Sequence, residues 1–116
     1  MLPADRRLGR GKEVKAVHRG GKSLGGRFVL LRYRPNGLGV SRFAFAVPRK
    51  IGKAVVRNRW RRQLREIVRQ RLGAIRPGYD VVMLVVRAGG PDKKVVLARD
   101  LAADVEGLLA RAGLLR

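Results

Sequence analysis

The segment from Ala54 to about Leu72 constrains this chain most, because two different faces are written into one helical period. At 100° per residue Val56, Trp60, Leu64, Ile67 and Val68 fall within one arc of roughly 120°, the pattern of a helix packed on a sheet. Arg57, Asn58, Arg61, Arg62, Arg65 and Arg69 fall within a neighbouring arc of roughly 140°, so five guanidinium groups and an amide line one ridge. Arg59 projects away from that ridge by about 60° or more and must reach a different anion or pair locally. A solvated face balanced by acids one turn away is excluded, since Glu66 is the one acid in the segment. Gly52 and Lys53, just before it, add free N–H groups and a cation where a phosphate can sit on the helix N-terminus.

The same excess of positive charge runs through most of the chain. Its 116 residues hold 28 Lys+Arg against 8 Asp+Glu, a net charge of +20. The 21 Arg outnumber the 7 Lys, and the planar guanidinium matches phosphate oxygens bidentately. Residues 1–76 carry 22 basic and 3 acidic groups, whereas residues 77–116 carry 6 and 5. Between Glu13 and Glu66 lie 52 residues with fifteen basic side chains and no acid. The expected partner is therefore rich in phosphate and faces the first two thirds of the chain.

Composition also removes whole classes of chemistry. With no cysteine there is no disulfide framework, thiolate metal site or cysteine nucleophile, and the lone His18 cannot build a histidine metal centre. The acids are scattered, with no carboxylate pair near the basic surface to hold two metals and no nucleophile–base pairing. No catalytic residue and no metal ligand is expected. The longest apolar run, Val81 to Val86, is too short to span a bilayer, and Met1 to Arg7 opens no apolar signal region. The expectation is a cytoplasmic or nucleoid protein with no membrane partner. Length and a hydrophobic fraction of 46% fit one domain over residues 1–116, with 1–8 expected to be flexible.

Around the central helix the remaining elements follow from periodicity. Gly9 to Gly20 reads as a short helix with Val14, Val17 and His18 to one side, ended by Gly20-Gly21. Arg27 to Arg34 reads as a strand with Phe28 and Leu30 on one face and Val29, Leu31 and Tyr33 on the other. After the turn Pro35-Asn36-Gly37, a second strand runs from Arg42 to Val47 and stops at Pro48. Its core face is Phe43, Phe45 and Val47, and the small Ala44 and Ala46 on the other face leave room for a partner against the sheet. Asp80 to Arg87, apolar on both faces, reads as a central strand. Ala88 to Pro91 breaks it, and about Val95 to Ala112 forms a packing helix. The fold class is α+β, an α-β-β-α-β-α sandwich of one sheet with helices against it.

The string from Phe45 to Glu66, in which Arg49-Lys50-Ile51-Gly52-Lys53-Ala54-Val55 leads into Arg57-Asn58-Arg59, resembles the signature of the bacterial ribonuclease P protein subunit. Flanking elements agree over nearly the whole chain. The resemblance implies the family fold, related to the second domain of a small-subunit ribosomal protein, with a left-handed βαβ crossover against the usual right-handed rule. It implies a protein cofactor of ribonuclease P, the endoribonuclease that matures tRNA. The RNA subunit uses Mg²⁺, held mainly by RNA, to remove the 5′ leader from precursor tRNA, and no protein partner is required.

Carried over position by position, the resemblance implies two surfaces. Arg49, Lys50, Lys53, Arg57, Asn58, Arg59, Arg61, Arg62, Arg65 and Arg69 are similar to the surface that docks on the catalytic RNA, through phosphate and 2′-hydroxyl contacts. A cleft between the first helix and the open sheet face, with Val14, His18, Leu31, Tyr33, Ala44 and Ala46, corresponds to the site of the single-stranded leader. The family often has aromatic residues where this chain has Val14 and His18. Its strand aromatic aligns best with Leu31, with Tyr33 two residues on. His18 is thus either a stacking or phosphate contact or a packed helix-end residue. Two alternatives stand beside this reading: a ribosomal or other structural RNA-binding protein of similar fold, and a cationic membrane-active protein, which would need exposed apolar helix faces.

Overall fold

The structure, a computed structural model, describes residues 2–9, 11–87 and 98–116. Helix α1 (Lys12–Gly20) leads into β1 (Lys22–Gly25), β2 (Val29–Pro35) and β3 (Arg42–Ala46), followed by α2 (Ala54–Gln70), β4 (Tyr79–Val85) and α3 (Ala98–Arg111). The strands form one sheet in the order β1-β2-β4-β3. β4 runs antiparallel to β2, with Leu31 opposite Met83, and parallel to β3, with Phe43 opposite Val81. The expected order lacked β1, and the helix and strand ends move by one to three residues. Ala88 to Leu97, holding the expected chain break and the start of the last helix, lie outside the described residues.

Alternation along the strands sends side chains into two unequal layers. Val29, Leu31, Phe43, Val81, Met83 and Val85 join Trp60, Leu64, Ile67 and Val68 of α2 and Leu101, Val105, Leu108 and Leu109 of α3 in the main core. On the opposite face a small cluster of Leu8, Val17 and Val82, with Val14 and Ala44 against it, seats α1. The central position of β4 between two apolar layers explains its valine-rich, two-faced sequence. Val56, placed by periodicity on the core arc, is exposed. It lies in the first turn of α2, folded over Gly52, where a Cβ would stand 2.8 Å from its Cγ1.

The segment before α1 touches the body of the protein at two buried leucines. Leu2 is 2% exposed within the main core, Leu8 closes the α1 cluster, and Arg7 pairs with Phe43 alongside β3. The Arg7 guanidinium donates through Nε and Nη2 to the Leu2 carbonyl, at 3.1 and 2.9 Å, which folds the segment on itself.

Polar side chains fix the joints between elements. The Asp104 carboxylate on α3 accepts from the backbone N–H groups of Arg27, Phe28 and Val29 at 2.7, 2.9 and 3.1 Å, tying α3 to the β1–β2 connection. Gly26 is required there, since a Cβ would lie 2.5 Å from Asp104 Oδ1. At the other end of the sheet Asp80, 3% exposed, takes two bonds from the Arg42 fork at 2.9 Å and one from Asn36 Nδ2 at 2.9 Å. Asn36 Oδ1 accepts from the Leu38 N–H at 2.7 Å, the side-chain turn that the Pro35-Asn36-Gly37 signal implies.

Candidate RNA-binding surfaces

Two basic surfaces emerge, joined along one edge. The turn Arg49–Ile51, anchored by buried Ile51, presents Arg49 and Lys50 to solvent and delivers the chain to α2, whose N-terminus begins at Lys53 with no side-chain cap. On α2 itself Asn58, Arg59, Arg62, Arg65 and Arg69 are exposed, and Arg57 and Arg61 half-buried. Arg61 Nη1 donates to Asn58 Oδ1 at 2.9 Å, which steers its guanidinium along the ridge. The Arg57 Nε is buried with no hydrogen-bond partner. Arg69 is different: its Nε donates to Glu66 Oε2 at 2.9 Å and its Nη2 to Oε1, so in the free protein it is engaged. The bond from Arg69 holds the Glu66 carboxyl down from the usual 4.5 to about 2.

Beside this ridge, between the N-terminal segment, α1, β3 and α2, runs a groove of about 310 Å³. Val14, Ala44 and Ala46 line it, together with Arg7, Phe45, Arg61 and Arg65. Arg61 and Arg65 thus belong to both surfaces: with Phe45, Asn58 and Arg62 they also line a concavity on the α2 side. None of the described residues lining either is acidic.

The expected cleft set is not brought together as a whole. Leu31 and Tyr33 point to the opposite face of the sheet: Leu31 is fully buried in the main core, and Tyr33 packs edge-on against Tyr79 with ring centroids 6.4 Å apart. Alternation correctly groups these two but does not say which of two apolar layers they enter, and the face toward α1 takes Leu30, Arg32 and Arg34 instead. Arg32 Nη1 donates to the His18 carbonyl at 2.7 Å and Arg34 Nη1 to that of Ala16 at 3.4 Å. His18 itself is exposed near the end of α1 and is not among the residues lining the groove. Phe45 and Arg7 were missed. Phe45 carries a core-face signal in the sequence, and its access to α2 comes from lying on an edge strand. Arg7 gave no signal, because nothing local marks Leu2 and Leu8 as the buried anchors of its segment.

Comparison with known proteins decides the family. The ribonuclease P model matches residues 2–112. The chain belongs to the ribonuclease P protein family. It is 41% identical over 114 residues to the ribonuclease P protein component of Syntrophomonas wolfei, covering 96% of this chain and 95% of that one. To the component of Caldanaerobacter subterraneus it is 45% identical over 78 residues, 67% of each. The RNase P protein of Thermotoga maritima superimposes with a TM-score of 0.83 at 31% identity, over 90% of this chain and 96% of that one. A Staphylococcus aureus RNase P protein, 20% identical, shares the fold with a TM-score of 0.84 over 96% and 98% of the two chains. This ribonuclease P subunit therefore works in 5′ maturation of tRNA, with the RNA subunit and precursor tRNA as its partners. The ribosomal alternative is not favoured.

Among the described residues no three His, Asp or Glu side chains come together. Asp80, Glu66, Asp104 and Glu106 are occupied by Arg42, Arg69, the β1–β2 amides and Arg71. These carboxylates do not suit a resident Mg²⁺. No helix among the described residues is long and apolar enough to cross a membrane.

Proposed function

We propose that the ridge formed by Arg49, Lys50, Lys53, Arg57, Asn58, Arg59 and Arg62 docks on the catalytic RNA while the groove receives the 5′ leader of precursor tRNA as an extended single strand. The observation that carries this reading is the sharing of Arg61 and Arg65 between ridge and groove, with no acid among the described residues that line either. A strand lying on Ala44 and Ala46 has its phosphates beside these two guanidinium groups and a base within reach of Phe45. The small alanines let the backbone approach the sheet, and single-stranded RNA bound by charge and stacking is held with little sequence preference. Arg69 joins the ridge when a phosphate displaces Glu66. The protein performs no bond-making step. It binds and orients the leader next to the RNA that cuts it, and Mg²⁺ sits on RNA phosphates. The compartment that goes with these partners is the cytoplasm.

The test is multiple-turnover cleavage of a precursor tRNA by a bacterial catalytic RNA at low Mg²⁺, with the protein, without it, and with the protein alone. Cutting at the mature 5′ end restored only when both are present is the expected result. No stimulation of a competent RNA would overturn the assignment of these surfaces.

A further inference from the structure

A second basic recess lies on the other flank of α1. It is lined by Lys15, Ala16, Arg19 and Gly20 of α1 and Arg34 of β2, none of them acidic. Because β2 and β3 lie on opposite sides of β4, this recess and the groove are separated by the helix. Val17 is completely buried beneath α1 against Val82 and Leu8, so no passage runs under it.

We propose that this recess is a phosphate site for the catalytic RNA, formed by Lys15, Arg19 and Arg34. Arg34 is half-buried, which fixes its guanidinium before any ligand arrives. One nitrogen, Nη1, makes a long 3.4 Å bond to the Ala16 carbonyl, and Nε is buried with no partner. The acid opposite Arg34 in the sheet register, Asp80, already has its oxygens taken by Arg42 and Asn36. A helix tether explains Nη1 alone. It does not account for the two cations that α1 places on the same recess. One phosphate answers both, held by the outer edge of the Arg34 guanidinium with Lys15 and Arg19 around it. The source of the phosphate follows from the partition: a leader extended along the groove reaches the recess only by crossing over α1, so the second strand is that of the folded RNA. The site rests on the subunit role of the chain, and its assignment to the folded RNA rests on the leader lying in the groove.

The experiment uses the full chain and the catalytic RNA, measuring affinity across monovalent salt, then the preference of the reconstituted holoenzyme for precursor over mature tRNA. The exposed double variant Lys15→Ala/Arg19→Ala leaves the packing of α1 untouched and guards against misfolding of Arg34→Ala. The expected result is affinity for catalytic RNA about tenfold weaker and a salt slope flatter by about one unit per cation removed, with the precursor preference unchanged. Affinity and slope unchanged in both variants would overturn the site. A loss confined to precursor preference would also overturn it, by assigning the phosphate to the leader. Arg62→Ala, measured in parallel, separates the readings: weakening there with none at the recess removes the recess alone, and no weakening there removes the α2 ridge.

Discussion

Phe45 is held in two environments at once. Its side chain is half-buried against the main core, yet it lines both the groove and the concavity under Arg61 and Arg65. An aromatic ring at that edge can stack a base, a contact worth about 1–3 kcal/mol in single-strand binding. Phe45→Leu keeps apolar contact with the core at a cost under about 1.5 kcal/mol and removes the ring. Equilibrium binding of precursor tRNA to the holoenzyme should weaken while the urea midpoint of the free protein changes little; equal affinity for both would take the ring out of the site. The residue scale is also where the sequence said least. Leu31 and Tyr33 share a face, as alternation requires, but a strand buried on both sides carries no mark of which layer is which. The arginines that do face α1 from β2 were visible in the sequence only as charge.

Helix α2 was legible almost entirely, because seventeen residues supply nearly five turns of an unbroken apolar stripe. Only its first turn differed, where Val56 turns to solvent over Gly52. β1 was invisible for the opposite reason: Lys22–Gly25 is four residues long and mostly exposed, and gains its strand geometry from pairing with β2. One feature of α2 is testable as an element property, the Glu66–Arg69 clasp. Since the folded state lowers the Glu66 pKa from 4.5 to about 2, the clasp contributes fully above pH 4.5 and is lost as pH falls towards 2. Glu66→Gln should remove that part of the acid-induced drop in thermal midpoint. In RNA binding the same variant removes the acid that a phosphate must displace from Arg69, so affinity for catalytic RNA should rise. An affinity identical to that of the parent would place Arg69 outside the ridge.

On the scale of the whole molecule, a charge of +20 is confined mainly to residues 1–76, and the acids of α2, β4 and α3 that are described with partners sit in pairs or on backbone amides. Among the described residues little free negative charge remains near the basic surface to relieve the repulsion, so an external polyanion should do so. Catalytic RNA present at a hundred times its dissociation constant should raise the unfolding free energy by about 2.7 kcal/mol, read as a higher thermal midpoint at fixed ionic strength. A midpoint insensitive to RNA would mean that the folded surface binds it no better than the unfolded chain.

The strand order β1-β2-β4-β3 has a consequence for how the protein is made. β2 and β3 are neighbours in sequence but never touch in the sheet; each pairs with β4, which is translated after α2. Until Tyr79–Val85 leaves the ribosome, the basic two thirds of the chain have no central strand to fold around and no Asp104 to close the β1–β2 connection. Assembly of the sheet is therefore a late event in synthesis, governed by non-local pairing. Through that interval the chain carries its excess positive charge without the sheet that will order it.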